Sequence, residues 1–204
     1  PKRDWSSDVC SSDLVDISCL AVDEVSGSGM SVAISEATGD YGAVVVSGAN
    51  LAIAAAEVGS AWQALWRAKF LLLQNEVPEQ VNLAAAAAAK AAGAMVILNA
   101  APARPLPPSL RDCVDLLVVN RIEAEMLTGS SEPEAALASL RSEGRSVILT
   151  RGADGLSFVA GNGVPRHIPA RPVHQVSSHG AGDFFCGALA ARLAAGASLE
   201  AACR

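Results

Sequence analysis

From Phe70 to Thr150 the chain alternates short apolar runs with longer stretches whose apolar residues recur at helical spacing. Phe70–Gln74, Ala94–Leu98, Asp115–Val119 and Ser146–Thr150 are predicted strands. Pro78–Ala92 and Glu132–Ser142 are predicted helices between them. The stretch Leu83–Ala92 is low in complexity, yet alanine is the best helix former, so it is read as helix. Strands that are apolar along their whole length suit a sheet buried on both faces. The class predicted is therefore α/β, with a mostly parallel central sheet covered by helices.

Outside that region the pattern changes. Val15–Val22 is a predicted strand, ended by Gly27-Ser28-Gly29. Met30–Ser35 and Tyr41–Ser47 are β-prone runs joined by Glu36-Ala37-Thr38-Gly39-Asp40, which has the turn chemistry of a hairpin and predicts a small β-flap over about residues 29–48. Asn50 is placed to cap a helix running to about Lys69. After Thr150 a second hairpin is expected, Leu156–Ala160 against Arg166–Ala170 through Gly161-Asn162-Gly163, and an alanine-rich helix follows Gly180.

Composition narrows the function classes. With 204 residues and 51% hydrophobic content, one domain with a substantial core is expected. The formal charge of −6, with dispersed Lys and Arg, lacks the basic face that nucleic acid requires, so no nucleic-acid partner is expected. The longest apolar run is alanine-dominated and interrupted by Lys90, so no membrane partner is expected either. Five cysteines without CxxC spacing indicate neither a disulfide framework nor a zinc site and fit a reducing cytoplasm. Residues 1–14 have no periodicity, and Asp8–Leu14 has the look of a translated sequencing adapter. They are expected to form a non-native tail, with the domain over residues 15–204.

The chemistry concentrates in His179-Gly180-Ala181-Gly182-Asp183. Gly180, Ala181 and Gly182 carry no bulky side chain, so their backbone N–H groups can surround an anion at the start of the next helix. Asp183 beside them could take a proton from an alcohol, which together suggests phosphoryl transfer; a tight turn with a helix-start aspartate is the plainer alternative. Asn120 and Glu123 follow a predicted strand on one face of a first helical turn, where they suit either a capping box or a site for phosphate and hydrated Mg²⁺. Thr150, Gly152 and Gly155 belong to a tight loop that is either a plain turn or an approach to nucleotide phosphate or ribose. Glu76, after the strand Phe70–Gln74, could accept hydrogen bonds from sugar hydroxyls, although a lone Glu before a turn is commonly just solvated.

These motifs, in this order, resemble the ribokinase-like (PfkB-type) carbohydrate kinases. The match is carried by HGAGDFFCGAL, by Asn120-Arg121-Ile122-Glu123, by Leu98-Asn99-Ala100-Ala101-Pro102-Ala103 and by Thr150-Arg151-Gly152-Ala153-Asp154-Gly155. The resemblance implies a ribokinase-like fold whose β-flap serves as a lid and can pair with a second copy. It implies transfer of the γ-phosphate of ATP to a sugar hydroxyl, with ribose the first choice and another sugar, a nucleoside or a non-catalytic binder the alternatives. Asp183 would be the base, Gly180, Ala181 and Gly182 the anion hole, and Glu76 a sugar contact. Asn120, Thr150, Gly152 and Gly155 would face the nucleotide, and Glu123 would hold Mg²⁺. The family's usual aspartate for a monovalent cation is replaced by Ser177, so only a weak response to K⁺ is expected. The resemblance covers part of the family's usual length, and the chain is expected to be an internal fragment, inactive by itself.

Overall fold

The computed structural model describes residues 16, 20–35, 41–141, 144–174, 178 and 180–204. Its centre is a six-stranded sheet in the order β3 (Phe70–Gln74), β4 (Met95–Asn99), β5 (Leu116–Asn120), β6 (Ser146–Thr150), β7 (Leu156–Val159) and β8 (Arg166–Ile168). The pairs from β3 to β6 are parallel, and β7 and β8 are antiparallel to their predecessors.

Alternation along the strands divides the core in two. Val96, Leu98, Leu117, Val119, Val147 and Leu149 point to one face, and Ile97, Leu116, Val118 and Ile148 to the other, all of them buried. The first face is covered by α2 (Glu79–Ala91), α3 (Pro108–Cys113), α4 (Arg121–Thr128) and α5 (Pro133–Leu140), the crossover helices. That clustering follows from parallel crossovers of constant hand through strands added in sequence order. The opposite face is covered by α6 (Ala181–Ala194) and α7 (Leu199–Ala202), through Cys186, Leu189, Ala202 and Cys203. Ala85, Ala86 and Ala89 let α2 lie close against its neighbours.

The flap is a separate two-stranded antiparallel sheet of β1 (Met30–Ser35) and β2 (Tyr41–Val46). The turn 36–40 between them, the tail 1–14, Ser177 and His179 lie outside the described residues.

Three expectations are corrected. Leu20, Ala21 and Val22 are not in a strand, and neither is Asp16; the rest of the expected strand Val15–Val22 lies outside the described residues. The helix expected from Asn50 to Lys69 is broken into a 3₁₀ turn (Gly48–Ala52), α1 (Ala55–Ala61) and a second 3₁₀ turn (Leu65–Arg67). Asn50 sits inside the first turn, not at a cap, and Ile53 is extended, with ψ 122°. The reason is packing. A continuous helix of that length would span roughly 30 Å, more than the small cluster of Val58, Val81 and Ala85, flanked by Ile53, Trp62, Trp66 and Leu71, can cover. Finally, β8 stops at Ile168 and not at Ala170, because Pro169 has no N–H to continue the ladder. Helices α3 and α7 were not expected; Pro107-Pro108 hides the first and shortness the second.

The turn from β6 into β7 depends on Gly155, whose φ of +82° is in the left-handed region. A Cβ there would lie 2.1 Å from the Ile168 carbonyl oxygen and 2.6 Å from the Ala170 nitrogen. Gly155→Ala is therefore expected to destabilise the protein by about 2–4 kcal/mol through strain and backbone clash. Urea denaturation measures it, and an unchanged midpoint would show that the loop can readjust.

Candidate active site

The motif loops after β3, β4, β5 and β6 leave the sheet at the carboxyl ends of these parallel strands, and the Gly180–Asp183 turn reaches the same edge after β8. Asn120 ends β5 and caps α4: its Oδ1 accepts from the Glu123 N–H at 2.8 Å, while the Glu123 carboxylate accepts from the Asn120 backbone N–H at 2.8 Å and from its Nδ2 at 2.9 Å. The capping box expected as an alternative is thus present. Glu123 is 8% exposed, and burial raises its carboxyl above the ordinary value, with the backbone hydrogen bond from Asn120 acting in opposition.

The neighbouring loop, after β6, makes a 3₁₀ turn over Gly152–Asp154, closed by Gly155 N–H to Gly152 O at 3.0 Å and Arg151 N–H to Gly155 O at 2.7 Å. Thr150 Oγ1 donates to Val119 O at 3.4 Å, and Arg121 Nη1 to Asp154 Oδ2 at 3.3 Å, so this loop is tied to β5 and α4.

Helix α6 begins at Gly180, which has φ +73° and no side-chain cap. Nothing lies within 4 Å of where a Cβ would stand on Gly180 or Gly182. Of the expected anion hole, the Ala181 N–H donates to Ser178 O at 3.2 Å. Helix geometry leaves Gly182 and Asp183 as the first-turn donors facing outward, with the positive end of the helix dipole behind them. Asp183 is exposed on that first turn.

The loops after β3 and β4 are bound to one another. Asn75 N–H donates to Ala101 O at 2.9 Å and Asn75 Nδ2 to Pro102 O at 3.0 Å. Glu76 lies half-buried between them, its N–H donating to Gln74 Oε1. The Ala101–Pro102 peptide is cis.

Three adjoining cavities run along this edge. The central one, about 690 Å³, brings together Glu76, Asn120, Glu123, Thr150, Gly152, Gly180, Gly182 and Asp183. One beside it, about 590 Å³, takes Thr150, Gly152, Gly155, Ala181 and Gly182 along with Pro169–Pro172, Phe185 and Arg204. The third, about 420 Å³, lies under the flap, with Ser31, Val45 and Ser47 on one side and Glu76, Arg104, Gly180 and Asp183 on the other. All the sequence-predicted site residues are therefore assembled along one edge. Sequence reasoning missed Arg104, Asn75 and the Pro169–Pro172 wall. A charged residue directly after the Ala101-Pro102-Ala103 motif was a usable signal for Arg104; nothing local marked the others.

This geometry stands beside three comparisons. A family model described as pfkB family carbohydrate kinase matches residues 7–204. The chain belongs to that family. Within it, the chain is 36% identical over 155 residues to a ribokinase of Staphylococcus aureus, covering 73% of this chain and 51% of that protein. It is also 36% identical over 159 residues to a ribokinase of Mus musculus, covering 74% and 49%. The solved structure of Arabidopsis thaliana ribokinase complexed with ribose and ATP superposes with a TM-score of 0.73 at 28% identity, covering 88% of this chain and 60% of that one. The chain thus spans about half the length of the curated pfkB relatives it matches.

The elevated Glu123 carboxyl has a stability consequence. Its native pKa is higher than its unfolded one, so as pH rises from the ordinary 4.5 the unfolded chain gives up this proton first. Stability falls by the group's share through that window and levels off above the raised native value. Measured as Tm against pH, wild type is expected to lose stability relative to Glu123→Gln across that window. A difference between the two that stays flat with pH would refute it.

Proposed function

We propose that the protein transfers the γ-phosphoryl group of ATP to a hydroxyl of a sugar, with ribose as the acceptor. The observation that supports this most directly is the sharing of residues between cavities. Gly182 borders the central cavity and the one lined by the β6–β7 loop, whereas Asp183 borders the central cavity and the one under the flap. A nucleotide in the first and a sugar in the last would meet across the first turn of α6. The 590 Å³ volume is within the range of small-molecule sites.

In this reading Asp183 accepts the proton of the acceptor hydroxyl as its oxygen attacks the γ-phosphorus and the β-phosphate leaves with the bond electrons. The Gly182 and Asp183 N–H groups, with the helix dipole, stabilise charge on the phosphoryl oxygens. Gly180 and Ala181 shape the turn that aims them. Thr150, Gly152 and Gly155 bring backbone close to the nucleotide, and Glu76 accepts from sugar hydroxyls.

Among the described residues no group of three His, Cys, Asp or Glu could enclose a metal ion. Mg²⁺ needs no such cage, since it keeps most of its waters and binds through one or two carboxylates plus phosphate oxygens. Glu123, with lone pairs left after its two capping bonds, and Asn120 suit that role at the rim of the central cavity. The ion, when bound, would neutralise charge on the phosphates. Ser177, at the family's cation position, leads to a weak K⁺ response in this reading. A cytoplasmic location fits the substrates proposed, and no helix among the described residues is long and apolar enough to cross a membrane.

Two experiments on the complete gene product test these proposals. Asp183→Asn should lower kcat by about 10²- to 10⁴-fold with little change in KM for ATP; near-normal turnover would remove Asp183 as the base. The second concerns a homodimer through the flap. Cross-strand pairing places Met30, Val32, Ile34, Val44 and Val46 on the flap face opposite Ser31 and Val45, and each of the five is more than half exposed. A second copy covering this apolar face would bury it. Val32→Asp together with Val44→Asp should convert a dimer to a monomer in sedimentation, and a wild-type monomer would overturn the proposal.

A further inference from the structure

Glu76 occupies the wall between the central and flap-side cavities, on a loop with no regular structure of its own. A carboxylate that is to meet particular hydroxyls must be held to a fraction of an ångström, and a free loop does not do that. One side chain crosses to this loop from the next one. Arg104, beyond β4, reaches back so that its Nη1 donates to the Val77 carbonyl at 2.9 Å and, more weakly, to the Asn75 carbonyl at 3.4 Å. These are the carbonyls immediately before and after Glu76.

The clasp is built into its surroundings. Asn75 is 5% exposed and anchored to Ala101 and Pro102, so the loops after β3 and β4 are joined below Arg104 as well. Asn82 of α2 holds the start of the loop through Gln74 O at 2.8 Å. The Nε and Nη2 of Arg104 are buried and bond to no protein acceptor among the described residues. Burial works against the guanidinium charge, and Glu79 partly offsets it. A charged group kept in such a place at a desolvation cost, with donors in excess of the bonds it makes, is an uneconomical way to close a loop that backbone bonds already close. Its position on the wall of the cavity that holds Glu76 and Asp183 accounts for it better.

We propose that Arg104 is a positioning residue for Glu76: by gripping the carbonyls on either side, it fixes the carboxylate against the acceptor and so sets acceptor affinity and selectivity, not nucleotide affinity. This rests on the function proposed above. Both bonds come from Nη1 alone, so what lysine loses is reach: it keeps the charge, but its Nζ ends one atom short of the position Nη1 holds between the two carbonyls.

The test uses the complete gene product with ribose and ATP. Arg104→Lys should raise KM for ribose about tenfold, the size of one charge-assisted hydrogen bond. KM for ATP and kcat should stay within about twofold, and calorimetric titration with ribose in the absence of ATP should show the same loss. In a Glu76→Gln background the Arg104→Lys effect on ribose should shrink to less than about twofold, because the two residues act as one unit. Equal effects in both backgrounds, a parallel rise in KM for ATP, or an unchanged KM for ribose would overturn the inference while leaving the kinase reading intact. A wild type that neither binds nor phosphorylates ribose or any other sugar would overturn both.

Discussion

The whole site depends on where the chain emerges after β6. Parallel strands with crossovers of one hand place α2 to α5 on a single face of the sheet, which leaves the other face bare. The antiparallel pair β7 and β8 resolves this. Two reversals bring the chain back to the carboxyl edge at Ile168, so that α6 starts there and runs down the uncovered face. Its N-terminus, with its outward N–H groups and Asp183, consequently lies beside the loops that end β3, β4, β5 and β6. Covering the core and placing an electropositive helix end among polar loops are one and the same packing event.

The same economy operates at Asn120 and Glu123. Both carboxylate oxygens of Glu123 are engaged in capping α4, and the residue is buried enough to raise its carboxyl. A cap exposed to water would have served the helix as well and without that cost. In the reading proposed above, the buried position makes sense because the carboxylate also faces the cavity that would hold the hydrated cation. In that reading the structural and chemical roles do not compete, because a carboxylate has more lone pairs than the cap consumes.

The flap shows a related division. Among the described residues its strands have no partner in the main sheet, and alternation gives it one apolar outward face and one face toward Glu76 and Asp183. A two-stranded sheet is marginal in isolation, so its stability must come from what it packs against. In the kinase reading proposed above, that would couple acceptor enclosure to a second copy covering the outward face.

Much of this was legible in the chain itself. Uniformly apolar runs and helical spacing determined β3 to β6, α2 and α5, since two-sided burial leaves a signature along β4, β5 and β6; β3, equally apolar, is the edge strand and leaves Leu72 exposed. Gly180-Ala181-Gly182-Asp183, Asn120 with Glu123, and the Thr150–Gly155 loop were identifiable because small residues and polar residues at fixed spacing have few structural uses. The region 50–69 was not legible: its helix propensity is real, and the break is decided by the limited area of the Val58, Val81 and Ala85 cluster, a quantity that does not exist until α2 and β3 are in place. Nor was the role of Arg104: its place after the Ala101-Pro102-Ala103 motif could flag the residue, but what it does lies in the Asn75 and Val77 carbonyls far from it along the chain. Residue type and spacing report what a segment can form alone; which carbonyls a guanidinium reaches, and how much of a helix a neighbour can cover, are set only when separate loops and helices meet in space.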